Sequence, residues 1–319
     1  MKQNAWVSSS QAIELLTKQL VTWPLAAENY RALKSAKLRI FQMEGFMLKI
    51  QFNPARILSS GAKVDTQSLK KRKCFLCLEQ LPLEQERLSF GPNYLILTNP
   101  YPIFKEHFTI PSRLHTRQSI AERFGDFLEL AQRLSPFTIF YNGPKCGASA
   151  PDHAHFQAVT RSVMPLDNEI EQQLQRYGHV VCQEESGNIQ TLTHYLRNGF
   201  VIRTSTMATA IHLFTKIYKT LEIKPDEYEP RMNLFASYIE KMWTIVVIPR
   251  RQHRPWQYDA QGKEHLLSSP GAADIGGLFI TSLEEDFEKV TPELLRDIYE
   301  QVCLNNEEIE KIAREIQNS

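Results

Sequence analysis

Between Asn142 and Gln157 the chain reads Asn-Gly-Pro-Lys-Cys-Gly-Ala-Ser-Ala-Pro-Asp-His-Ala-His-Phe-Gln, with two histidines and a glutamine at alternate positions behind a glycine-bearing loop. Side chains of an extended strand point alternately to opposite faces. His153, His155 and Gln157 therefore share one face, and Ala154, Phe156 and Ala158 take the other. Neutral imidazole is a nucleophile or metal ligand near neutral pH, and an amide N–H holds a phosphoryl oxygen without adding charge. The small residues Gly147, Ala148 and Ser149 let backbone amides come close to an anion. This combination predicts a phosphate-handling site where a loop meets a rigid strand. Histidines that merely face solvent or satisfy core hydrogen bonds are the plain alternative. Three polar residues in strict alternation weigh against it.

A second chemical candidate is Cys74-Phe-Leu-Cys77, whose spacing lets two thiolates reach one tetrahedral ion. A bare pair also fits a redox dithiol or two unliganded cysteines; the redox reading expects a helix start after a strand, and Leu78 to Glu86 shows no clear helix. Just before it runs Lys70-Lys71-Arg72-Lys73, a solvated basic face in which Arg72 is a candidate phosphate contact. Nucleic-acid binding needs further aromatic or basic support, and the neighbouring sequence has none.

Composition sets the frame. The 319 residues are 42% hydrophobic and 23% charged, which fits a folded globular chain of one large or two ordinary domains. A formal net charge of +1 gives no general attraction to nucleic acid or anionic lipid. The N-terminus has no signal-like apolar core, and no run approaches the ~18 apolar residues that span a bilayer. A cytoplasmic protein without membrane or nucleic-acid partners is expected. Five cysteines, mostly scattered, make no disulfide framework.

The elements that must position these residues follow from periodicity. Ser8 with Gln11 forms a capping-box pattern ahead of a short amphipathic helix. Leu38 to Phe52 reads as a hairpin broken at Glu44-Gly45, and Phe52 to Lys73 lacks periodicity. Strands are predicted at Tyr94 to Thr98, His107 to Ile110 and Phe137 to Tyr141, with a helix from about Ser119 to Leu134. Ile110-Pro-Ser-Arg-Leu-His115 is echoed 138 positions later by Ile248-Pro-Arg-Arg-Gln-His253, which points to a duplicated unit. The second unit adds a helix over Thr206 to Leu221, strands at Met232 to Tyr238 and Trp243 to Ile248, a loop from Ser268 to Gly277, a strand to Ile280 and a final helix from about Pro292. It contains no His-x-His-x-Gln.

The Asn142 to Gln157 motif resembles the active-site signature of the histidine-triad superfamily. The resemblance is to the transferase branch of galactose-1-phosphate uridylyltransferases, diadenosine tetraphosphate phosphorylases and GDP-hexose phosphorylases. It covers most of the chain from about residue 70. The resemblance implies an α+β fold of two histidine-triad-like units on antiparallel sheets with flanking helices, the first catalytic (1–195) and the second degenerate (196–319). It makes His155 the nucleophile toward a nucleotide α-phosphate and Gln157 the holder of the phosphoryl oxygens. By the same resemblance Asn142 and Ser149 contact phosphate. Asp152 adds one residue between the serine and the first histidine, a departure from the family pattern. The segment from Asn99-Pro to His115 resembles the family's opening strands, and Asn99 would hold the ribose, against an ordinary Asn-Pro turn. The loop Pro270 to Gly277 resembles the substrate loop of GDP-hexose phosphorylases, against a simple turn before a strand. In zinc-bearing members the cysteine pair is completed by histidines that match His115 and His153, which implies a structural Zn2+ at Cys74, Cys77, His115 and His153.

The implied activity is nucleotidyl transfer by double displacement. The donor is a nucleotide sugar and the acceptor is phosphate or a sugar phosphate, with a homodimer possible by analogy. Gln157 stands where superfamily hydrolases carry a third histidine, which favours transfer to phosphate over hydrolysis. The alternatives are a dinucleoside polyphosphate phosphorylase acting as an ATP adenylyltransferase, and a nucleotide-binding protein without turnover.

Overall fold

The computed structural model describes residues 6–57, 68–69 and 72–318; Lys70 and Lys71 of the basic run lie outside them. The chain opens with α1 (Ser9–Thr22), whose capping box pairs Ser8 with Gln11 as its sequence predicts. Next come α2 (Pro24–Leu33) and the hairpin β1 (Leu38–Gln42) and β2 (Met47–Phe52), which turns at Gly45 with φ +87°. A positive φ is open to glycine at no steric cost, hence the break seen in the sequence.

Then follow β3 (Arg87–Phe90), β4 (Tyr94–Thr98), β5 (His107–Pro111), α3 (Phe124–Arg133), β6 (Phe137–Asn142) and β7 (His155–Thr160). A helix α4 (Pro165–Tyr177) leads to β8 (Val180–Glu184), β9 (Gly187–Leu192), β10 (Gly199–Thr204), α5 (Met207–Thr220), β11 (Met232–Ile239) and β12 (Met242–Pro249). The chain closes with α6 (Ala272–Ile275), β13 (Leu278–Thr281), α7 (Glu284–Lys289), α8 (Pro292–Val302) and α9 (Asn306–Gln317). The expected final helix is thus two, separated at Asn305, whose side chain and Glu308 form a new capping box.

Strands β3 to β12 build one antiparallel sheet in the order β3-β4-β5-β7-β6-β11-β12-β10-β9-β8. Outward from the β6/β11 seam both sides repeat one order, with β6, β7, β5, β4 and β3 mirrored by β11, β12, β10, β9 and β8. These are two histidine-triad-like units on antiparallel sheets with flanking helices. In strand order β8 and β9 group with the second, and the expected 195/196 division falls between β9 and β10, which pair over six positions. The repeated Ile-Pro signature does not mark equivalent strands: Ile110 and Pro111 close β5, whereas Ile248 and Pro249 close β12, the counterpart of β7. Any apolar strand ending in proline before a basic loop gives that pattern.

One face of the sheet packs against α1, α3, α5 and α9 through Phe108, Phe137, Phe156, Phe200 and Ile245. The other packs against α4, α8 and the sheet β1-β2-β13 through Phe140, Val159, Phe235, Val246 and Ile248. The pairing of β2 with β13 is parallel, with Ile50 opposite Phe279. Period-two alternation sends Phe156 and Ala158 into the first layer and leaves His155 and Gln157 on the second face. The equivalent strand β12 turns Val246 and Ile248 to that face, so the second unit has apolar core where the first has His155 and Gln157.

Candidate functional site

His155 opens β7, opposite Pro111 of β5; His153 lies on the turn just before the strand rather than within it. The buried amide of Gln118 joins the ends of β6 and β7. Its Nε2 donates to the carbonyls of Asn142 (2.9 Å) and His155 (3.0 Å), and its Oε1 accepts from the His155 N–H (2.8 Å). His155 Nδ1 lies 2.8 Å from the His153 carbonyl, which can only accept, so Nδ1 carries the proton and Nε2 the free lone pair. Burial pulls this imidazole down to about 4, so it is neutral at pH 7.

Gln157 is oriented by a residue that sequence reasoning missed. The main-chain N–H of Ile103 donates to His107 Nδ1 (3.2 Å), so His107 Nε2 bears the proton and donates to Gln157 Oε1 (2.8 Å). Burial, reinforced by Arg56, holds His107 neutral, down to about 3. The Gln157 carboxamide thereby turns its N–H groups toward the cavity it lines. The available signal was alternation along β5: His107 falls on the same face as Thr109, the cross-strand partner of Gln157.

A cavity of roughly 790 Å³ has His155 and Gln157 in its wall, with Trp23, Phe75 and Leu81 among its apolar lining. Arg72 and Asn99 line it too. Arg72 Nη2 pairs with Asp152 Oδ1 at 2.6 Å and reaches the Ser149 carbonyl at 3.3 Å, while its Nε is buried without a hydrogen-bond partner among the described residues. The extra residue Asp152 therefore serves as the anchor of Arg72. Asn99 Oδ1 accepts from the Tyr101 N–H (2.9 Å) and its Nδ2 donates to Thr109 Oγ1 (3.0 Å), so it also closes the Asn-Pro turn.

Ser149, Gln157 and Arg56 are shared with a second, polar cavity of roughly 70 Å³ bounded by Asn142 and by the 267–274 loop of the second unit. Arg56, also missed by sequence reasoning, is tied by Nη1 to the Tyr101 carbonyl (2.9 Å). Burial lowers it to about 10, and no described carboxylate lies within ion-pair distance. A desolvated cation without a counter-ion is costly unless an anion joins it. Lying in a segment without periodicity, Arg56 gave no pattern to read.

Cys74, Cys77, His115 and His153 converge, their donor atoms all within 4.8 Å of one another. Cys74 Sγ lies 3.3 Å from His153 Nδ1, and Cys77 Sγ lies 3.1 Å from His115 Nδ1. His153 Nε2 donates to the Ser112 carbonyl at 2.7 Å, which turns Nδ1 toward the thiols. Two thiols and two imidazoles with an outer hydrogen bond fit a closed tetrahedral metal site. Phe75 and Leu76, between the cysteines, line the large cavity, so this cluster braces its wall.

Two family models match the chain: a domain of unknown function (DUF4922) over residues 15–160, and a GDPGP1-like, C-terminal domain over residues 171–319. No curated protein matches it. Among solved structures it is similar to yeast Ap4A phosphorylase Apa2 in complex with AMP, at 16% identity over 93% of this chain and 97% of that one, with a TM-score of 0.59. It is also similar to the same yeast protein in complex with Ap4A, at 14% identity over 94% and 99%, with a TM-score of 0.55. At such identities the likeness is one of fold.

Proposed function

We propose that the chain, which matches a GDPGP1-like, C-terminal domain over residues 171–319 and shares the fold of the yeast phosphorylase, is a transferase of the histidine-triad type: a nucleotidyltransferase or phosphorylase of nucleoside diphosphate sugars that works by double displacement. His155 Nε2 attacks the α-phosphorus, a P–N bond forms, the bond from that phosphorus to the bridging oxygen breaks, and the sugar 1-phosphate leaves. An oxygen of inorganic phosphate or of a sugar 1-phosphate then attacks the same phosphorus and releases His155. The two steps replace one difficult transfer. The Gln157 amide holds the phosphoryl oxygens, and a phosphate leaving group needs no proton from it. Arg72, Ser149 and Asn142 take phosphate oxygens, and Asn99 faces the ribose. Zn2+ at Cys74, Cys77, His115 and His153 is structural, because four protein donors leave no open position for substrate.

The observation that carries this reading is the fixed tautomer of His155: a neutral imidazole whose Nδ1 is occupied and whose Nε2 is left for phosphorus, beside an amide turned donor-first. A second reading, a dinucleoside polyphosphate phosphorylase, draws on the likeness to the Ap4A-bound yeast protein and keeps the same chemistry with an adenine dinucleotide donor.

Intact-mass measurement separates the two. The protein is incubated with GDP-hexose, UDP-hexose, ADP-hexose or a diadenosine polyphosphate, each without acceptor. A nucleotidyl adduct from a sugar nucleotide is expected, with the guanine series favoured, discharged by phosphate and absent in His155→Ala. An adduct from adenine dinucleotides alone establishes the second reading; one that persists in His155→Ala, or none from any donor, refutes the mechanism.

A further inference from the structure

Asn142 is a carboxamide whose two ends differ only in hydrogen-bond polarity, so its usefulness to a phosphate depends on which end faces the small cavity. Its Oδ1 accepts from the Ala272 N–H (2.6 Å) and from Asn233 Nδ2 (2.9 Å). Asn233 is itself reversible in principle, but its Nδ2 also donates to the Cys146 carbonyl (2.9 Å) and its Oδ1 accepts from Arg250 Nη1 (2.7 Å). Guanidinium only donates. Arg250 is buried and held by the carbonyls of Pro270 (2.9 Å) and Val302 (3.0 Å).

Resting on the proposed transfer reaction, we infer that Arg250 and Asn233 of the second unit are positioning residues that, together with the Ala272 N–H, hold Asn142 with its Oδ1 toward the second unit. The series runs one way: Arg250 and the Cys146 carbonyl fix Asn233 with Oδ1 accepting and Nδ2 donating, Asn233 and the Ala272 N–H then donate to Asn142 Oδ1, and Asn142 presents Nδ2 to the cavity as a donor for a phosphoryl oxygen. The unit that has no His-x-His-x-Gln of its own thus still contributes to the reaction.

Asn233→Asp tests this, because it preserves the acceptor for Arg250 while removing the donor to Asn142. Adduct formation and steady-state turnover are measured in wild type, Asn233→Asp, Asn142→Ala and the double variant, with thermal melting of each. Loss of one hydrogen bond to a charged phosphoryl group predicts a fall of about 10- to 100-fold in kcat/KM for each single variant. The double variant should be no worse than Asn142→Ala, since the effect of Asn233 passes through Asn142. Additive losses, or an Asn233→Asp protein as active as wild type, overturn the inference. If Asn233→Asp melts early, Arg250→Lys replaces it: a lysine keeps the donor to Asn233, so activity should fall less than about 10-fold, and a loss as large as that of Asn142→Ala counts against the relay. A wild-type protein that forms no adduct with any donor refutes the transfer reaction itself and withdraws the relay with it.

Discussion

His153 stands two residues upstream of His155, and its carbonyl is the acceptor that fixes the His155 tautomer. Whatever holds His153 therefore also sets where His155 Nε2, the proposed nucleophile, points. With Zn2+ bound, the Cys74 thiolate and His153 Nδ1 become covalently restrained, and the metal contributes folding free energy directly. Purified without chelator, the wild-type protein should contain one zinc per chain by elemental analysis. Cys74→Ser should contain much less, melt several degrees lower and form the adduct more slowly. Metal-free wild type with an unchanged melting point in the variant would count against the site. At this scale the sequence was legible wherever partners were close: the His-x-His-x-Gln alternation and the cysteine pair announce themselves. His107, Gln118 and Arg56 did not, because each acts through a partner 37 or more positions away, such as Gln118 on His155, and nothing local distinguishes such a residue.

Among elements, the approach to β11 carries a buried carboxyl with a calculable pH signature. Glu229 Oε1 accepts from the Tyr141 hydroxyl of β6 (2.5 Å), and Oε2 accepts from the Ile120 N–H ahead of α3 (2.8 Å). Burial pushes Glu229 up to about 7, against about 4.5 for an exposed glutamate. Between those values the folded state binds the proton more tightly, so stability is fullest below about pH 4.5 and declines as pH rises toward 7, by about 1.4 kcal/mol per unit at most. Glu229→Gln removes the ionisation. Urea melts at pH 5 and pH 8 should show the variant gaining on wild type at the higher pH; a difference independent of pH would refute the shift. The predicted elements mostly form, since amphipathic period and caps are local: α1, the β1/β2 hairpin, α5, β11 and β12 all lie where their patterns place them. The parallel pairing of β2 with β13 joins residues about 230 positions apart and leaves no mark in either strand. The four-residue α6 is too short for a period.

For the whole molecule, the seam at β6/β11 decides whether the units can live apart. They pair from Asn142 with Asn233 to Ile139 with Ala236, and the loop between β6 and β7 meets the second unit so closely that a Cβ at Gly147 would overlap the backbone of Gly271. Expressed alone, residues 1–178 would present β6 as a bare apolar edge, a template for aggregation. We expect that fragment to be insoluble, and co-expression with 179–319 to restore soluble, adduct-forming protein. A soluble, active first fragment would refute this. Two units were expected through the family resemblance; the Ile-Pro echo offered as their residue-level sign joins strands that are not counterparts in the sheet, so neither the duplication nor its register was legible from it. The mirrored strand order has one more consequence. In a symmetric pair of identical chains every substitution is written twice, so a residue that serves one site as nucleophile and the other as scaffold can never be tuned for both. Joined end to end, the copies can differ, and here β12 carries Val246 and Ile248 on the face where β7 carries His155 and Gln157.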